Sequence, residues 1–404
     1  MACYTSCAVT QASPMDPKAS LTRPTPAVRS LLRRHAGKLL ASLIITCGIV
    51  YTVQKGGLKF LPEGGDFKHV RTWTIPVYFV SLLAMNWFRA IRWRFLLRAI
   101  ADVPRKRLFA VSCVGLAAIL IMPFRIGEIV RPYMIRTRPA DRREGFPALT
   151  LTTATSSVVA ERVIDLFYLS VVLAVSLLLV PTVHPLPDHV VGLPVSVATV
   201  RQSGFVMLAV SCVAISTIIV FYIARDWARR TTLSVIGRVS APLAERLAGM
   251  AEKLADGLHV FGRPRDAVPF LVETTLYWGL NVCGMWLMAW GCGVVHADGS
   301  AITFGETCAL MGMLGCAILI PGPPGLLGVF QAGIYAGMTM FFPTSIVIGE
   351  GAAYVFLLYA IQVLSQVSLG VWGLAVEGGS RGLPGGLVEL RDAEASEAGA
   401  ELPA

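Results

Sequence analysis

The chain has 404 residues, of which 55% are apolar and only 15% are charged. Soluble domains carry about a quarter charged residues, so this composition excludes an ordinary soluble protein and indicates an integral membrane protein with several spans. The net charge of +10 arises from Lys and Arg concentrated in a few loops. Such loops are typical of the cytoplasmic side of a membrane protein, so we expect no nucleic-acid partner.

The sequence predicts an all-α polytopic membrane fold, because several apolar stretches are long enough to span a bilayer as helices. These stretches lie at 38–54, 73–97, 149–180, 203–224, 267–292 and 345–376. The membrane domain is therefore predicted to cover 38–376, between a basic disordered tail at 1–37 and an acidic disordered tail at 377–404. The segment 226–262 alternates charged and apolar residues, and is predicted to form one or two amphipathic helices on the cytoplasmic surface.

Two further apolar runs, 108–124 and 303–321, end in Pro and Gly and are interpreted as re-entrant segments. The first is flanked on both sides by Arg-rich segments, whereas the second is flanked by segments with little or no positive charge. Positive charge marks the cytoplasmic side, so the first run is expected to enter from the cytoplasm and the second from outside. The result is six full spans plus two re-entrant segments, with both termini cytoplasmic.

An internal repeat is indicated when the chain is shifted by 199 residues, because Tyr78 then falls on Tyr277 and Trp87 on Trp286. The repeat units are about 73–180 and 267–376. Their re-entrant segments are predicted to enter from opposite sides, which makes the repeat inverted. Inverted repeats are a common plan for transporters, with interrupted helices meeting near the membrane midplane.

Charged residues inside or beside the apolar runs are the strongest indication of function. They are Arg92, Arg125, Glu128, Arg131, Glu161, Arg162 and Asp165. A charge at the bilayer centre costs at least about 2.5 kcal/mol, so we expect these residues to contact a polar substrate, an ion or each other. Arg125 and Arg131 are candidates to clamp a phosphate, since guanidinium groups form paired hydrogen bonds to such oxygens. The alternative is a cytoplasmic cap held by a structural ion pair.

Glu161 and Asp165 are four residues apart and therefore lie on one helix face. We expect them to pair with Arg125, Arg131 or Arg162. A proton-carrying role and a static salt-bridge network remain equally open for these carboxylates, and Glu128 is a candidate either to hold an Arg or to take up a proton. Arg92 belongs to a cationic, aromatic helix end that is mostly explained by anchoring at the membrane interface, although Arg92 itself could face the interior.

The Pro- and Gly-rich segment 321–328 cannot form a regular helix. Irregular backbone at membrane depth is tolerated where protein or a water-filled cavity surrounds it, so this segment is predicted to line a cavity, and a helix starting near Leu326 would direct its N–H groups towards an anion. A simple external turn is the alternative. The candidate site residues here are Pro321, Gly322, Gly325, Gly328 and Gln331.

Four motifs, at 89–97, 123–131, 161–165 and 321–330, resemble in this order the transmembrane region of lysylphosphatidylglycerol synthases. That region also occurs alone, in flippase-like membrane proteins. The resemblance, which covers roughly 38–376, implies an inner-membrane protein that moves or presents anionic, aminoacylated or glycosylated lipids. It does not carry over the synthase activity, which belongs to a separate domain. The last motif departs from the family where an acidic residue often follows the aromatic position, so a carboxylate role is not expected at Gln331.

The leading hypothesis is a lipid flippase or transporter whose partners are membrane lipids. The alternative is a membrane-embedded transferase, or an accessory subunit of a lipid-modifying enzyme, that acts on a polyprenyl phosphate or glycolipid. Glu63 and Asp66 are the loop carboxylates available for such a reaction, although their Gly-rich context favours a turn. The sequence contains no Ser/His/Asp arrangement, HExxH motif, phosphate-binding Gly-rich loop or metal-ligand spacing, so we expect neither a cofactor nor an ATP-driven pump. A purely structural scaffold would not explain the buried charges.

Overall fold

A computed structural model describes residues 51, 61–98, 101–122, 127–136, 149–183, 190, 196–238, 240–257, 264–318 and 324–381. Helices dominate these ranges, where the β structure is limited to an isolated bridge between Val295 and Ala301. The predicted all-α fold is therefore confirmed. Most of the first predicted span and of the two tails lies outside the described residues, as do Arg125, Pro321 and Gly322.

Twelve α-helices occur in the described residues. They are α1 (Thr74–Leu97), α2 (Arg105–Ile121), α3 (Val130–Ile135), α4 (Leu151–Leu179), α5 (Val197–Ile223), α6 (Arg225–Ile236), α7 (Ala241–Gly257), α8 (Pro264–Gly291), α9 (Phe304–Ile318), α10 (Val329–Met338), α11 (Thr344–Ile348) and α12 (Glu350–Arg381). Short 3₁₀ turns occur at Gly64–Phe67 and Pro324–Leu326. The amphipathic segment forms two helices, α6 and α7, and α7 packs against α4 and α5.

Four described helices, α1, α4, α5 and α12, are long and apolar enough to cross a membrane. They coincide with four of the predicted spans. The fifth, α8, is 28 residues long and packs along α1 more extensively than any other pair of described helices, but it is less apolar. The apolar helices α2 and α9 have 17 and 15 residues, so each measures about 22–26 Å and is shorter than a bilayer core of about 30 Å. The number of full spans and the re-entrant paths stay predictions.

The helix positions repeat at the interval that the sequence indicates. The starts of α9, α10 and α12 each lie 199 residues after the starts of α2, α3 and α4. Tyr78 and Tyr277 are both buried, whereas Trp87 and Trp286 are 43% and 41% exposed. Each unit also packs against the other in an equivalent way. Helix α2 of the first unit packs against α12 of the second, and α9 of the second packs against α4 of the first. This equivalent packing is what a twofold relation between the units would produce, and their inversion across the membrane remains a prediction.

Local sequence determines how the chain returns after α2. Met122 has an extended backbone (φ −91°, ψ 134°), as expected for a residue that precedes a proline, and it ends the helix. Gly127 then lies directly on α2, where a Cβ atom would overlap the backbone of Ala118. A Cβ at Gly115 would lie 3.1 Å from the Cβ of Arg131. These glycines let the returning segment run close along α2. This path places Glu128 and Arg131 towards the interior.

The α2–α12 contact depends on small residues, and we expect Gly370→Ala to destabilise the protein. A Cβ at Gly370 would overlap the Cβ of Ala117, and neither methyl group can rotate away. Overpacking of this kind costs about 1–3 kcal/mol. The midpoint of thermal unfolding, measured in detergent, should therefore fall.

Gly279→Ala is the matched control, because nothing lies within 4 Å of its Cβ position on α8. Its unfolding midpoint should be unchanged or slightly higher, since Ala favours helix more than Gly does. An equal decrease in both variants would contradict the α2–α12 packing described above.

Candidate functional site

Arg92 is the centre of a buried ion-pair network. Its side chain is completely buried in α1 and forms a two-pronged pair with Asp165 of α4, with Nη1–Oδ1 and Nη2–Oδ2 distances of 2.7 and 2.6 Å. Nη2 also donates to Oε1 of Glu161 at 3.0 Å. Of the two alternatives left open for Arg92, the interior position is the one observed, since its guanidinium is enclosed by protein and lies over the ring of Tyr277 at 4.7 Å.

Glu161 joins three arginines. It accepts hydrogen bonds from Arg92, from Nη1 of Arg131 at 2.9 Å and from Nη2 of Arg162 at 2.9 Å. Arg162 also reaches Asp165, with an N–O distance of 3.4 Å. The predicted pairing of Glu161 and Asp165 with Arg131 and Arg162 is therefore present. Arg92, which was not expected as their partner, makes the shortest contacts of the group.

Neutral side chains complete the network and hold its geometry. Nη1 of Arg92 donates to the hydroxyl of Thr274 at 3.2 Å, and the indole of Trp278 donates to Oδ1 of Asp165 at 3.2 Å. The guanidinium of Arg131 lies 3.9 Å from the centre of the Trp93 ring. The network thus links α1, α3, α4 and α8. Buried charges that are paired and hydrogen-bonded in this way avoid most of the cost of desolvation.

A cavity of about 390 Å³ lies beside this network. Its polar wall includes Arg89, Glu128, Arg162 and Asp165, and its other walls are mainly apolar side chains of α2, α4, α9 and α12. The side chain of Arg162 is 25% exposed, whereas that of Arg92 is completely buried. Arg162 is therefore positioned to contact a ligand in the cavity while it remains paired to Glu161.

The Gly-rich segment reaches the same cavity. Gly325 and Leu326 line it, and both have positive φ angles, of 67° and 57°. The hydroxyl of Tyr359, another lining residue, donates to the carbonyl of Gly325 at 3.1 Å. The described part of the segment therefore borders a cavity, as predicted.

Gly328 and Gln331 have a structural task instead. α10 begins at Val329 rather than near Leu326, because Gly325, Leu326 and Gly328 have left-handed backbone angles that interrupt a helix. The side-chain oxygen of Gln331 accepts the N–H of Gly328 at 2.7 Å, which satisfies a backbone donor at the start of α10. Gln331 is 4% exposed, and neither it nor Gly328 lines the cavity.

The structure adds site residues that the sequence analysis did not select. Thr274, Tyr277 and Trp278 lie on one face of α8 and surround Arg92 and Asp165. Their spacing of three and four residues places polar and aromatic groups on one side of an apolar helix. This pattern could have predicted that α8 contributes to the site. Arg89, interpreted as part of an interfacial anchor, lines the cavity.

The loop carboxylates Glu63 and Asp66 lie together in a turn. Oδ2 of Asp66 accepts the N–H of Glu63 at 2.9 Å, which is the hydrogen bond of a turn. Among the described residues, no group of three or more His, Cys, Asp and Glu side chains could hold a metal ion.

Comparison with known families identifies the family of this chain. The family model of the lysylphosphatidylglycerol synthase TM region matches residues 37–370. The chain belongs to this family. The match covers all the helices that form the network and most of α12, so the protein is a membrane protein related to lipid metabolism. No curated protein and no solved structure matches the chain.

Arg92→Leu should be strongly destabilising, because it leaves Asp165 and Glu161 buried without their central partner. Removing one member of a buried ion pair typically costs about 3–5 kcal/mol. The loss is measurable as a lower free energy of unfolding in a thermal or detergent titration. The double variant Arg92→Leu/Asp165→Leu should recover part of it, since the unpaired charge of Asp165 is then also removed.

Arg98→Leu, six residues further on, provides the control. Arg98 is 36% exposed and pairs with Asp266 at 3.2 Å, and exposed pairs typically contribute less than about 1 kcal/mol. If Arg92→Leu were as mild as Arg98→Leu, the buried network would not be the main stabilising contact between these helices.

Proposed function

We propose that the protein is a lipid flippase or transporter of the cytoplasmic membrane, with both termini on the cytoplasmic side. Its substrate would be an anionic, aminoacylated or glycosylated lipid. The observation that carries the proposal is a cavity whose charged residues lie on one wall, while its other walls are mainly apolar and include the neutral amides of Asn281, Gln362 and Gln366. A polar headgroup would enter this cavity while the acyl chains stay in the bilayer.

The size of the cavity supports a headgroup as its occupant. Ligand pockets typically measure about 300–1,000 Å³, and this cavity measures about 390 Å³. A complete phospholipid with two long chains needs more space than this. The side chains of Leu169, Leu314 and Phe330 supply part of the apolar wall, against which the upper part of the acyl chains would lie.

The charge balance supports an anionic group. Within the described part of the network and the cavity wall, four arginines face three carboxylates. They are Arg89, Arg92, Arg131 and Arg162, and Glu128, Glu161 and Asp165. One positive charge therefore remains for a ligand, and Arg162 and Arg89 are the arginines that line the cavity. A phosphate there would form charge-assisted hydrogen bonds with them.

The contacts give the seven charged candidates different roles. Arg92 donates to carboxylates and is completely buried, so we assign it to positioning rather than to lipid binding. Arg131 holds Glu161 through Nη1 and is 7% exposed. Arg162 would contact the lipid, and Glu161 and Asp165 would hold Arg162 in place. Glu128 lines the cavity and is the remaining candidate for proton exchange, while Arg125 lies outside the described residues.

Transport is preferred to the transferase alternative because of where the carboxylates lie. Asp66 is used in a turn, and Glu161 and Asp165 are each held by guanidinium groups. A lipid-modifying enzyme remains a proposed partner, since it would supply or consume the lipid that is moved.

Arg162→Gln should reduce transbilayer movement of an anionic lipid by about tenfold or more, since a hydrogen bond to a charged group contributes about 1.5–3 kcal/mol. The measurement uses purified protein in proteoliposomes that contain a labelled anionic lipid, and follows the label on each leaflet. Arg98→Gln removes an Arg that does not line the cavity and should retain the wild-type rate.

Three outcomes separate the alternatives. Movement that needs Arg162 but not Arg98 supports the transporter. Equal rates in both variants would mean that the cavity does not bind the headgroup. A new lipid product, detected by mass spectrometry without any change of leaflet, would favour the transferase.

A further inference from the structure

A small void lies next to the cavity and shares lining residues with it. Its volume is about 20 Å³, which is enough for one water-sized group, since about 10–15 Å³ is required. Arg89, Leu116, Ile119, Glu128 and Arg162 line both spaces. The void is therefore a side chamber of the cavity, separated from it only by these side chains.

Three buried residues around this void have a polar atom without a hydrogen-bond partner among the described residues, and so does the partly exposed Arg162, through its Nε. The atoms of the three buried residues are Oδ1 of Asn86, Oγ of Ser112 and Nη2 of Arg131, and these residues are 2%, 5% and 7% exposed. A buried polar atom without a hydrogen-bond partner destabilises the folded protein unless a ligand or water binds to it. Three unsatisfied groups around one void therefore indicate a ligand rather than an empty space.

The hydrogen-bonding capacity of these atoms restricts the ligand. The side-chain nitrogen of Asn86 donates to the carbonyl of Leu82 at 2.9 Å, which leaves Oδ1 as an acceptor. Nη2 of Arg131 is a donor, and the hydroxyl of Ser112 can act in either way. An anion would satisfy Arg131 but would face Oδ1 of Asn86, and an ammonium group would have the opposite conflict. A hydroxyl or a water molecule both donates and accepts, and so suits all three.

We propose that this void, which we call the Asn86–Ser112–Arg131 pocket, is a hydroxyl-binding subsite of the transport cavity. A hydroxyl group of a lipid headgroup, such as that of a glycerol or a sugar, occupies it and displaces a water molecule while the phosphate contacts Arg162. The subsite thereby favours hydroxyl-bearing anionic lipids. This inference rests on the proposed transport function, and it names a feature of the substrate that the charged residues alone do not specify.

The test compares two lipids that have the same acyl chains and the same single phosphodiester charge. Phosphatidylglycerol has a glycerol headgroup with hydroxyl groups, and phosphatidylethanol has none. Their rates of transbilayer movement are measured in proteoliposomes with each protein variant. We expect the wild type to move phosphatidylglycerol about three to ten times faster, which corresponds to one net hydrogen bond.

Ser112→Ala and Asn86→Ala should each reduce this preference by slowing phosphatidylglycerol towards the rate of phosphatidylethanol. The ratio of the two rates is the readout, because partial loss of folded protein lowers both rates equally. Ser211→Ala is the matched control. It also removes a buried hydroxyl, but one that donates to Met207 and Leu208 carbonyls of its own helix at 2.9 and 3.0 Å, so the preference should be retained.

The outcomes distinguish this inference from the function on which it rests. Equal wild-type rates for the two lipids would mean that the void holds only water, and would overturn the subsite while leaving transport intact. A preference that persists in both Ser112→Ala and Asn86→Ala would also overturn it. If neither lipid moves in the wild-type protein, both the subsite and the proposed transport of anionic lipids are wrong.

Discussion

The pair between Arg92 and Asp165 is the contact on which the rest of the site depends. It joins α1 to α4 by two short hydrogen bonds in a buried environment. A guanidinium and a carboxylate that meet in this way fix both distance and orientation, because the donors form a rigid fork. Thr274 and Trp278 add α8 to the same point. The cavity wall that carries Arg162 is therefore built on helices whose relative positions are set by charge.

The two repeat units have helices that start at equivalent positions but differ in their charged residues. At the interval of 199 residues, Arg131, Glu161, Arg162 and Asp165 correspond to Phe330, Ala360, Ile361 and Leu364. The second unit thus forms the same sequence of helices without any of these charges. Helices at equivalent positions can therefore form with apolar residues where the first unit has charges. The charged residues that line the cavity all come from the first unit, whereas the second unit contributes neutral residues, among them Phe330 and Gln362.

The sequence predicted the all-α fold, because apolar length and spacing depend on local sequence. It predicted the partners of Glu161 only in part. Arg131 and Arg162 were expected, whereas Arg92 was left between the membrane interface and the interior. A charge near a helix end has the same sequence pattern whether it faces lipid headgroups or a neighbouring helix. Burial depends on how α1 packs against α4 and α8, which no local pattern encodes. For the same reason Gln331 looked like a ligand contact, although it caps α10.

Stability alone does not explain why this network exists. Replacing a buried ion pair with apolar residues of similar volume is often neutral or stabilising, and the second repeat unit has apolar residues at the corresponding positions. The network does keep one arginine, Arg162, inside the protein with part of its side chain open to the cavity. Glu161 and Asp165 neutralise its charge, and its side chain is 25% exposed. An isolated Arg at this depth would be pulled towards water or headgroups. Fixing Arg162 inside the membrane domain therefore requires Glu161 and Asp165, and these carboxylates in turn require Arg92 and Arg131.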